Sequence, residues 1–407
     1  MHTAHEVVEL SGHIIDSWTL PRAWDTIMDR GGNFDVEEMH VGATKNDTSY
    51  ARIKVTAPDE NTLDTIISQL QQLGAVLLQA NDVRTEIVEQ DGVLPARFYS
   101  TTNLVTQVRI NGQWIGVERI EMDVAIAIDR EHNRAHCVPM HEVHTGDEIV
   151  VGHDGIRVIP YTRERDHEDF AFMQSDVSSE KVKVLAIHNI ARQMKETRAR
   201  GGKILFVLGP AVIHTGAGRY VAELIRTGYV QAIFGGNAII THDIESALYG
   251  TSLGVQLQSG EQVEGGHRNH LRAINAIRNV GSVEKAIEVG LLKDGITYEA
   301  YIRNIPMVLA GSIRDDGPMP GVISDMQIAQ GQMREVIQDG IEMALMISSM
   351  LHAIATGNLL PARVRTVVVD INPAVVTKLS DRGTFQAAGL VTDAELFLRE
   401  LVEELSE

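Results

Sequence analysis

Residues 203–237 read KILFVLGPAVIHTGAGRYVAELIRTGYVQAIFGGN. Within them, KILFVLG (203–209) and YVQAIFG (229–235) are near-continuous apolar runs that end in glycine, with a helical pattern between. They do not alternate, which is expected of strands covered on both faces of a sheet. NIPMVLAG (304–311) and VRTVVVD (364–370) repeat the pattern downstream, again with helical stretches between. Strands at such spacing predict a doubly wound, mostly parallel α/β sheet. Ligands in these sheets sit outside the carboxyl ends of the strands, so the residues just after each strand are the candidate site.

Outward from this sheet, the chain begins with a different rhythm. HEVVELSGHIID (5–16) alternates like a strand, and Pro21 opens a short helix in PRAWDTIMDRG. NFDVEEMHVGA and TSYARIKVTAP form a strand pair joined by a Lys45-Asn46-Asp47 turn. Asp59 or Asn61 caps the amphipathic run NTLDTIISQLQQLG, and AVLLQA is a last strand. The order βαββαβ is that of a ferredoxin-like split βαβ sandwich. From about residue 93, VTQVRI, WIGVERI, VAIAID, EIVVG and IRVIP predict short antiparallel strands, and TRERDHEDF reads as a solvated connector. The expected organisation is a ferredoxin-like domain over 1–92, a β-rich subdomain over 93–178 and an α/β domain over 179–407.

Composition bounds the function. The chain has 407 residues, 44% hydrophobic and 22% charged, proportions that exclude wholesale disorder. A net charge of −19 argues against nucleic acid or an anionic membrane as the main partner, since both need a basic face. A single cysteine, Cys137, excludes an intramolecular disulfide framework and any Cys-clustered metal site, and fits a reducing cytoplasm. No secretory signal is legible at the N-terminus. IEMALMISSMLHAIA, from Ile341, is too short and too interrupted to span a bilayer and is expected to be a buried core helix.

The residues after each strand carry the chemistry. Gly216 and Gly218 of GPAVIHTGAGRYV offer an amide-lined pocket for a phosphate, or simply a Gly-rich helix entry. GAGRYV lacks the third small residue of a dinucleotide fingerprint, which disfavours an ordinary Rossmann site. Gly235 and Gly236 permit close backbone approach to a ligand, and Asn237 supplies both a donor and an acceptor; Asn237 or Thr241 would equally serve as a helix cap. Asp315 and Asp316 share a Gly/Pro-rich loop, which is either a site or a surface turn. Asp370 of DINP stands where an acid commonly binds a ribose diol, although Asp370 or Asn372 as N-caps need no function. VEGGHRNHLRAIN brings together Glu264, His267 and His270, without further ligands at metal-site spacing, so no metal is expected. His352 in SSMLHAIATGN is a core histidine or a cofactor contact.

Together, GPAVIHTGAG, FGGNAIITHDIE, VEGGHRNHLRAIN, LAGSIRDDGPMP, SSMLHAIATGN and VVVDINP resemble the archaeal-type ornithine cyclodeaminases throughout the chain. That family shares its N-terminal region with LOR/SDH conserved-region proteins and forms the C-terminal module of bifunctional arginine dihydrolase/ornithine cyclodeaminases. The sheet motifs are also similar to the NAD-binding fold of deoxyhypusine synthase. The resemblance implies tightly bound NAD, contacted by Asn237, Ala238, Asp316, Ser349, Met350, Leu351, His352, Asp370 and Pro373. It implies no arginine dihydrolase activity, because the pentein-type domain is not in this chain. A homo-oligomer in the cytoplasm is expected as well.

The implied reaction is redox-neutral. Hydride leaves Cα of L-ornithine, the δ-amine attacks the resulting imine, ammonia departs, and the cyclic imine takes the hydride back to become L-proline. Such a cycle needs a base for the α-ammonium and an acid for departing ammonia. His267, Glu264 and Asp315 are the candidates by residue type and loop position, and Arg268 or Arg314 would hold the substrate carboxylate. Two rival readings remain open: a saccharopine- or lysine-type NAD-dependent dehydrogenase, and a non-catalytic NAD- or amino-acid-binding regulator.

Overall fold

A computed structural model of the chain describes residues 3–15, 17–44, 47–78, 81–159, 179–257, 261, 266–315, 317–380 and 387–406. They form two compact units, the first within residues 1–164 plus 360–362 and the second within 165–359 and 363–407. The connector TRERDHEDF and part of the Lys45-Asn46-Asp47 turn lie outside the described residues.

The first unit opens with β1 (Ala4–Gly12), α1 (Thr19–Asp29), β2 (Asn33–His40), β3 (Ser49–Ala57), α2 (Glu60–Gln72) and β4 (Val76–Leu77). The strands form an antiparallel sheet in the order β2-β3-β1-β4, which is the ferredoxin-like arrangement. β3 alternates buried and half-buried side chains along its whole length because one face packs on the helices. Asp59 is the cap of α2: its carboxylate accepts the Thr62 N–H at 2.8 Å. Ile27, Ile53, Ile66 and Leu70 close the core between sheet and helices.

A second sheet in the same unit contains β5 (Arg84–Ile87), β6 (Val105–Ile110), β7 (Gln113–Glu118), β8 (Ala125–Asp129), β9 (Arg134–Val138), β10 (Glu148–Val151) and β11 (Ile156–Ile159). Its order is β11-β6-β7-β9-β8-β10-β5. The five expected strands are present. β5 and β9 escape the sequence reading, and β7 pairs with β9 in parallel, so the sheet is mixed. Both missed strands are only four or five residues long, too short to show a period, and RTEI has a single apolar residue.

The second unit runs α3 (Ser179–Ala199), β12 (Lys203–Leu208), α4 (Ala211–His214), α5 (Gly218–Arg226), β13 (Ala232–Gly235), α6 (Asn237–Tyr249), then the hairpin β14 (Thr251–Ser252) and β15 (Val255–Gln256). It continues with α7 (Asn269–Val280), α8 (Val283–Glu288), α9 (Ile296–Ile302), β16 (Met307–Leu309), α10 (Met326–Gln338) and β17 (Ile341–Ile347). α11 (Leu351–Leu359), β18 (Arg365–Asp370), α12 (Pro373–Ser380), β19 (Ala387–Val391) and α13 (Ala394–Ser406) complete it. The sheet order is β16-β13-β12-β17-β18-β19 and every pairing is parallel. Counted along the chain this is 3-2-1-4-5-6, the order of the Rossmann fold.

One expectation is corrected here. IEMALMI is the central strand β17, and only the residues after Met350 are helical. A short apolar run has no period that separates a buried strand from a buried helix. Both faces of β17 are covered, with Met343, Ala344, Leu345 and Ile347 at zero exposure. The correction moves Ser349, Met350, Leu351 and His352 from mid-helix to the carboxyl end of a strand.

Candidate active site

The strand order reverses between β12 and β17, and the crevice outside their carboxyl ends is the expected ligand position. The two backbones are in close contact there. The Gly209 N–H donates to the Ile347 carbonyl at 2.9 Å, and the Ser348 N–H donates to Val369 at 2.8 Å. Ser348 has φ of 49°, a left-handed conformation rarely taken outside glycine. No helix continues β17 directly; this reversal re-aims the chain before α11 begins.

α6 starts on the same edge. Its cap position, Gly236, offers no side chain to the first-turn N–H groups, so these are available to an anion with the helix dipole behind them. A Cβ on Gly236 would stand 2.7 Å from the ring of His352. His352 in turn donates from Nε2 to the Ala310 carbonyl at 3.1 Å, joining the first turn of α11 to the end of β16. Asn237 is no cap: its Oδ1 accepts the Met319 N–H at 2.9 Å and the Thr241 hydroxyl at 3.2 Å. The loop after β16 is thereby held against α6, and Arg278 of α7 holds it again through the Pro318 carbonyl.

Of the remaining expected cofactor residues, those that are described lie after strand ends on this edge. Ser349 is buried, whereas Ala238, Met350, Leu351 and Pro373 are exposed. Asp370, at the end of β18, accepts the Asn372 N–H through Oδ1, and Asn372 accepts the Ala374 N–H, so Asn372 is the cap of α12. Asp316 lies outside the described residues. Gly216 and Gly218 serve structure: Gly216 has φ of 80° in the turn between α4 and α5, and Gly218 packs on Ile213.

The catalytic candidates divide differently. Asp315 accepts the Ser312 N–H at 2.7 Å and so closes its own turn, beside exposed Arg314. Glu264 and the His267 side chain lie outside the described residues. His270 is on α7 with its ring 6.2 Å from that of His242.

His242 belongs to a polar cluster that the sequence reading missed. Its Nδ1 is 2.8 Å from Glu245 of the same helix, and its ring meets that of His214, from α4, edge-on at 4.7 Å. Glu245 has zero exposure and also accepts the Thr251 hydroxyl, which in turn accepts from Asn269. His214 Nδ1 pairs with the Ser252 hydroxyl at 2.7 Å. Burial, helped by His242, pushes His214 down to about 4, so it is neutral at physiological pH. Burial alone would raise Glu245, but its bonds from His242 and Thr251 outweigh that and hold it below the usual carboxylate value. The signal available in sequence was the i, i+3 spacing of His242 and Glu245 in ITHDIESA. Among the described residues, no three His, Cys, Asp or Glu side chains are arranged to hold a metal, and no helix is long and apolar enough to cross a membrane.

Comparison with known proteins supplies the family. Residues 188–401 match the C-terminal Rossmann-fold region of ArgZ-like arginine dihydrolases, residues 105–187 the first region of that C-terminal part, and residues 5–104 the LOR/SDH bifunctional enzyme conserved region. A protein of Methanocaldococcus jannaschii named ornithine cyclodeaminase is 54% identical over 404 residues, 98% of this chain and 95% of its own. The apo crystal structure of ArgZ, an arginine dihydrolase from the cyanobacterial ornithine-ammonia cycle, superposes with a TM-score of 0.88 at 41% identity, covering 99% of this chain and 58% of ArgZ. The AgrE ternary complex with ornithine and NAD+ matches at 45% identity with a TM-score of 0.54, covering 100% of this chain and 58% of AgrE. The chain belongs to the archaeal-type ornithine cyclodeaminase family, whose fold is also the C-terminal module of the bifunctional arginine dihydrolase/ornithine cyclodeaminases.

Proposed function

We propose that this protein is an NAD-dependent ornithine cyclodeaminase that converts L-ornithine to L-proline and ammonia. The observation that carries the reading is full-length likeness to proteins of that name, joined to a parallel sheet whose switch point has the form of a dinucleotide site. The AgrE complex with ornithine and NAD+ supports the same pairing of substrate and cofactor.

The crevice suits NAD in three respects. The first turn of α6 has no side-chain cap, one oxygen of Asp370 is not used by Asn372, and the apolar side chains of Met350, Leu351 and Ile371 are exposed beside it. We assign Asn237, Ala238, Asp316, Ser349, Met350, Leu351, His352, Asp370 and Pro373 to the cofactor. In this assignment Asp370 holds a ribose diol, the amides of α6 face the pyrophosphate, and His352 keeps the β13 and β16 ends in place beneath it. The chemistry a bound nicotinamide supplies is reversible hydride acceptance at the substrate Cα. Arg268 and Arg314 are the candidates for the substrate carboxylate. For proton transfer, His267, Glu264 and Asp315 stand as the residue-type candidates, with one Asp315 oxygen engaged in its own turn. A homo-oligomer in the cytoplasm is the accompanying reading, and the lone, buried Cys137 supports the compartment.

The test is incubation of the NAD-loaded protein with L-ornithine, assaying ammonia, proline and reduced nicotinamide. Equal ammonia and proline without accumulating NADH is the expected result. Stoichiometric NADH, with lysine or saccharopine as the better substrate, would identify the dehydrogenase instead. Binding without turnover would identify a regulator.

A further inference from the structure

We propose that His242 is the group that moves protons at the substrate α-nitrogen, with Glu245 as its positioning residue. The inference deepens the proposed function and rests on it. Three observations lead there.

The first is orientation. Glu245 has zero exposure and is held from two sides, by His242 Nδ1 and by the Thr251 hydroxyl, which Asn269 fixes in turn. A carboxylate has only acceptor sites, so Nδ1 of His242 donates and the lone pair of the neutral ring sits on Nε2. Among the described residues Nε2 of His242 has no hydrogen-bond partner, so its lone pair is not engaged within the fold. A buried carboxylate that selects the tautomer of a histidine is the arrangement used where imidazole acts as a base.

The second is place. His242 lies five residues after Asn237, about 7.5 Å along the helix axis. His214 follows Gly209 of the β12 end by five residues, within one short helix. His214 thus follows β12 and His242 lies in the helix that follows β13, and their rings meet at 4.7 Å, so the pair joins the connections that leave the carboxyl ends of two adjacent strands, β12 being one of the two at the switch point.

The third is charge. Among the described residues, the titratable groups facing His242 are Glu245 from its own helix, His214 from α4 and His270 from α7, and the β14–β15 hairpin brings to the cluster the hydroxyls of Thr251 and Ser252 and the Gly254 N–H. α7 also carries Arg272, which donates to the side-chain Oδ1 of Asn269, and exposed Arg268 stands at its start. Asp243 faces the other way, its two oxygens accepting the Ile296 and Thr297 N–H groups at the start of α9. His214 is neutral, so an imidazolium on His242 meets the buried Glu245 carboxylate without an opposing charge from the His214 ring it packs against.

The proton route balances. Nε2 takes one proton from the α-ammonium, leaving a neutral amine whose lone pair becomes the C=N bond as hydride departs from Cα. The δ-nitrogen enters as the free amine and bonds to that carbon, then sheds its extra proton to solvent. The imidazolium returns its proton to the α-nitrogen, the C–N bond breaks with its electron pair on nitrogen, and ammonia leaves. His242 ends neutral, ready for the next cycle.

The experiment compares wild type with H242Q and E245Q, each loaded with NAD. Turnover, NAD content of the purified protein, melting temperature and the pH profile of kcat/KM are measured. H242Q should lower kcat about 10²–10⁴-fold with NAD content and KM little changed. E245Q should retain more activity and move the acidic limb of the profile to lower pH, a shift that a merely structural role would not produce. If H242Q does not fold, the imidazole nitrogens of wild type are observed by 15N NMR during ornithine titration. An Nδ1–H tautomer whose Nε2 signal moves on binding supports the assignment, and an Nε2–H tautomer unmoved by ornithine overturns it. Ornithine turnover that survives in folded H242Q overturns the relay alone. A wild type that fails to turn over ornithine overturns the proposed function, and the relay with it.

Discussion

The carbonyl of Ser348 lies where a side chain on Gly209 would have to go. At the switch point, therefore, the backbones of β12 and β17 approach so closely that only hydrogen fits between them. Backbone cannot yield as the tip of a flexible side chain can. G209A should cost about 3 kcal/mol of stability and disturb the crevice, read as a lower denaturant midpoint together with weaker NAD binding. A variant with wild-type midpoint would show that the contact relaxes freely.

Asp370 sits at the end of β18 with one oxygen on the Asn372 N–H. A carboxylate holding a ribose diol is a charged acceptor, and its loss should weaken NAD binding about 10- to 100-fold. D370A in a calorimetric titration gives the number. The cap of α12 is Asn372, so the melting temperature should change little.

Acid should destabilise the second unit through His214. Its folded value of about 4 lies below the ordinary 6.5, so between those limits the unfolded chain binds more protons than the folded one. Stability therefore falls as pH drops from about 6.5 towards 4. Glu245, held low, adds to the loss only below the ordinary carboxylate value of 4.5. Melting temperatures of wild type and H214Q across this range should converge at acid pH. Parallel curves would contradict the assignment.

With α-deuterated ornithine, the label should be retained at C2 of proline. Direct return of the same hydride requires it, and mass spectrometry of the product decides. Wash-out into solvent would contradict a hydride held through both steps.

Cys137 is 2% exposed, and burial pushes its thiol up to about 12. A thiol so rarely ionised is a poor nucleophile. Iodoacetamide should leave the native protein unlabelled and modify one site once the first unit unfolds. Rapid native labelling would show that this sheet opens locally.

The likeness between expectation and structure has a physical boundary. β12, β13, β16 and β18 were legible because uninterrupted apolar runs ending in Gly or Asp declare buried parallel strands. β17 is largely apolar too, but only Ser348 and Ser349 separate it from the apolar residues that open α11, so strand and helix merged into one run. The ferredoxin-like order followed from alternation and an Asp cap, both of which are local.

The candidate site was legible only in part. Gly236, Asn237 and Asp370 could be placed from strand ends, since a strand's direction determines which residues follow it to the ligand edge. Whether each carries a bond to a neighbour was not legible. Asn237 accepts from Met319, 82 residues away, and Asp315 turns back on Ser312.

Sequence alone determined the alternation of helix and apolar strand, hence the parallel sheet, and the positions of the glycines and acids that end its strands. Those properties depend on residues within a few positions of one another. Tertiary structure alone decided the 3-2-1-4-5-6 order, the contact at Gly209 and Ser348, and the meeting of His214, His242, Glu245 and Thr251. His214 and Ser252 are 38 residues apart, and nothing in either segment specifies the distance between them. That distance is set by α4, α6 and the hairpin packing on a common core. The burial that this packing imposes makes His214 neutral, and the hydrogen bonds it brings from His242 and Thr251 keep Glu245 a fixed acceptor against that burial.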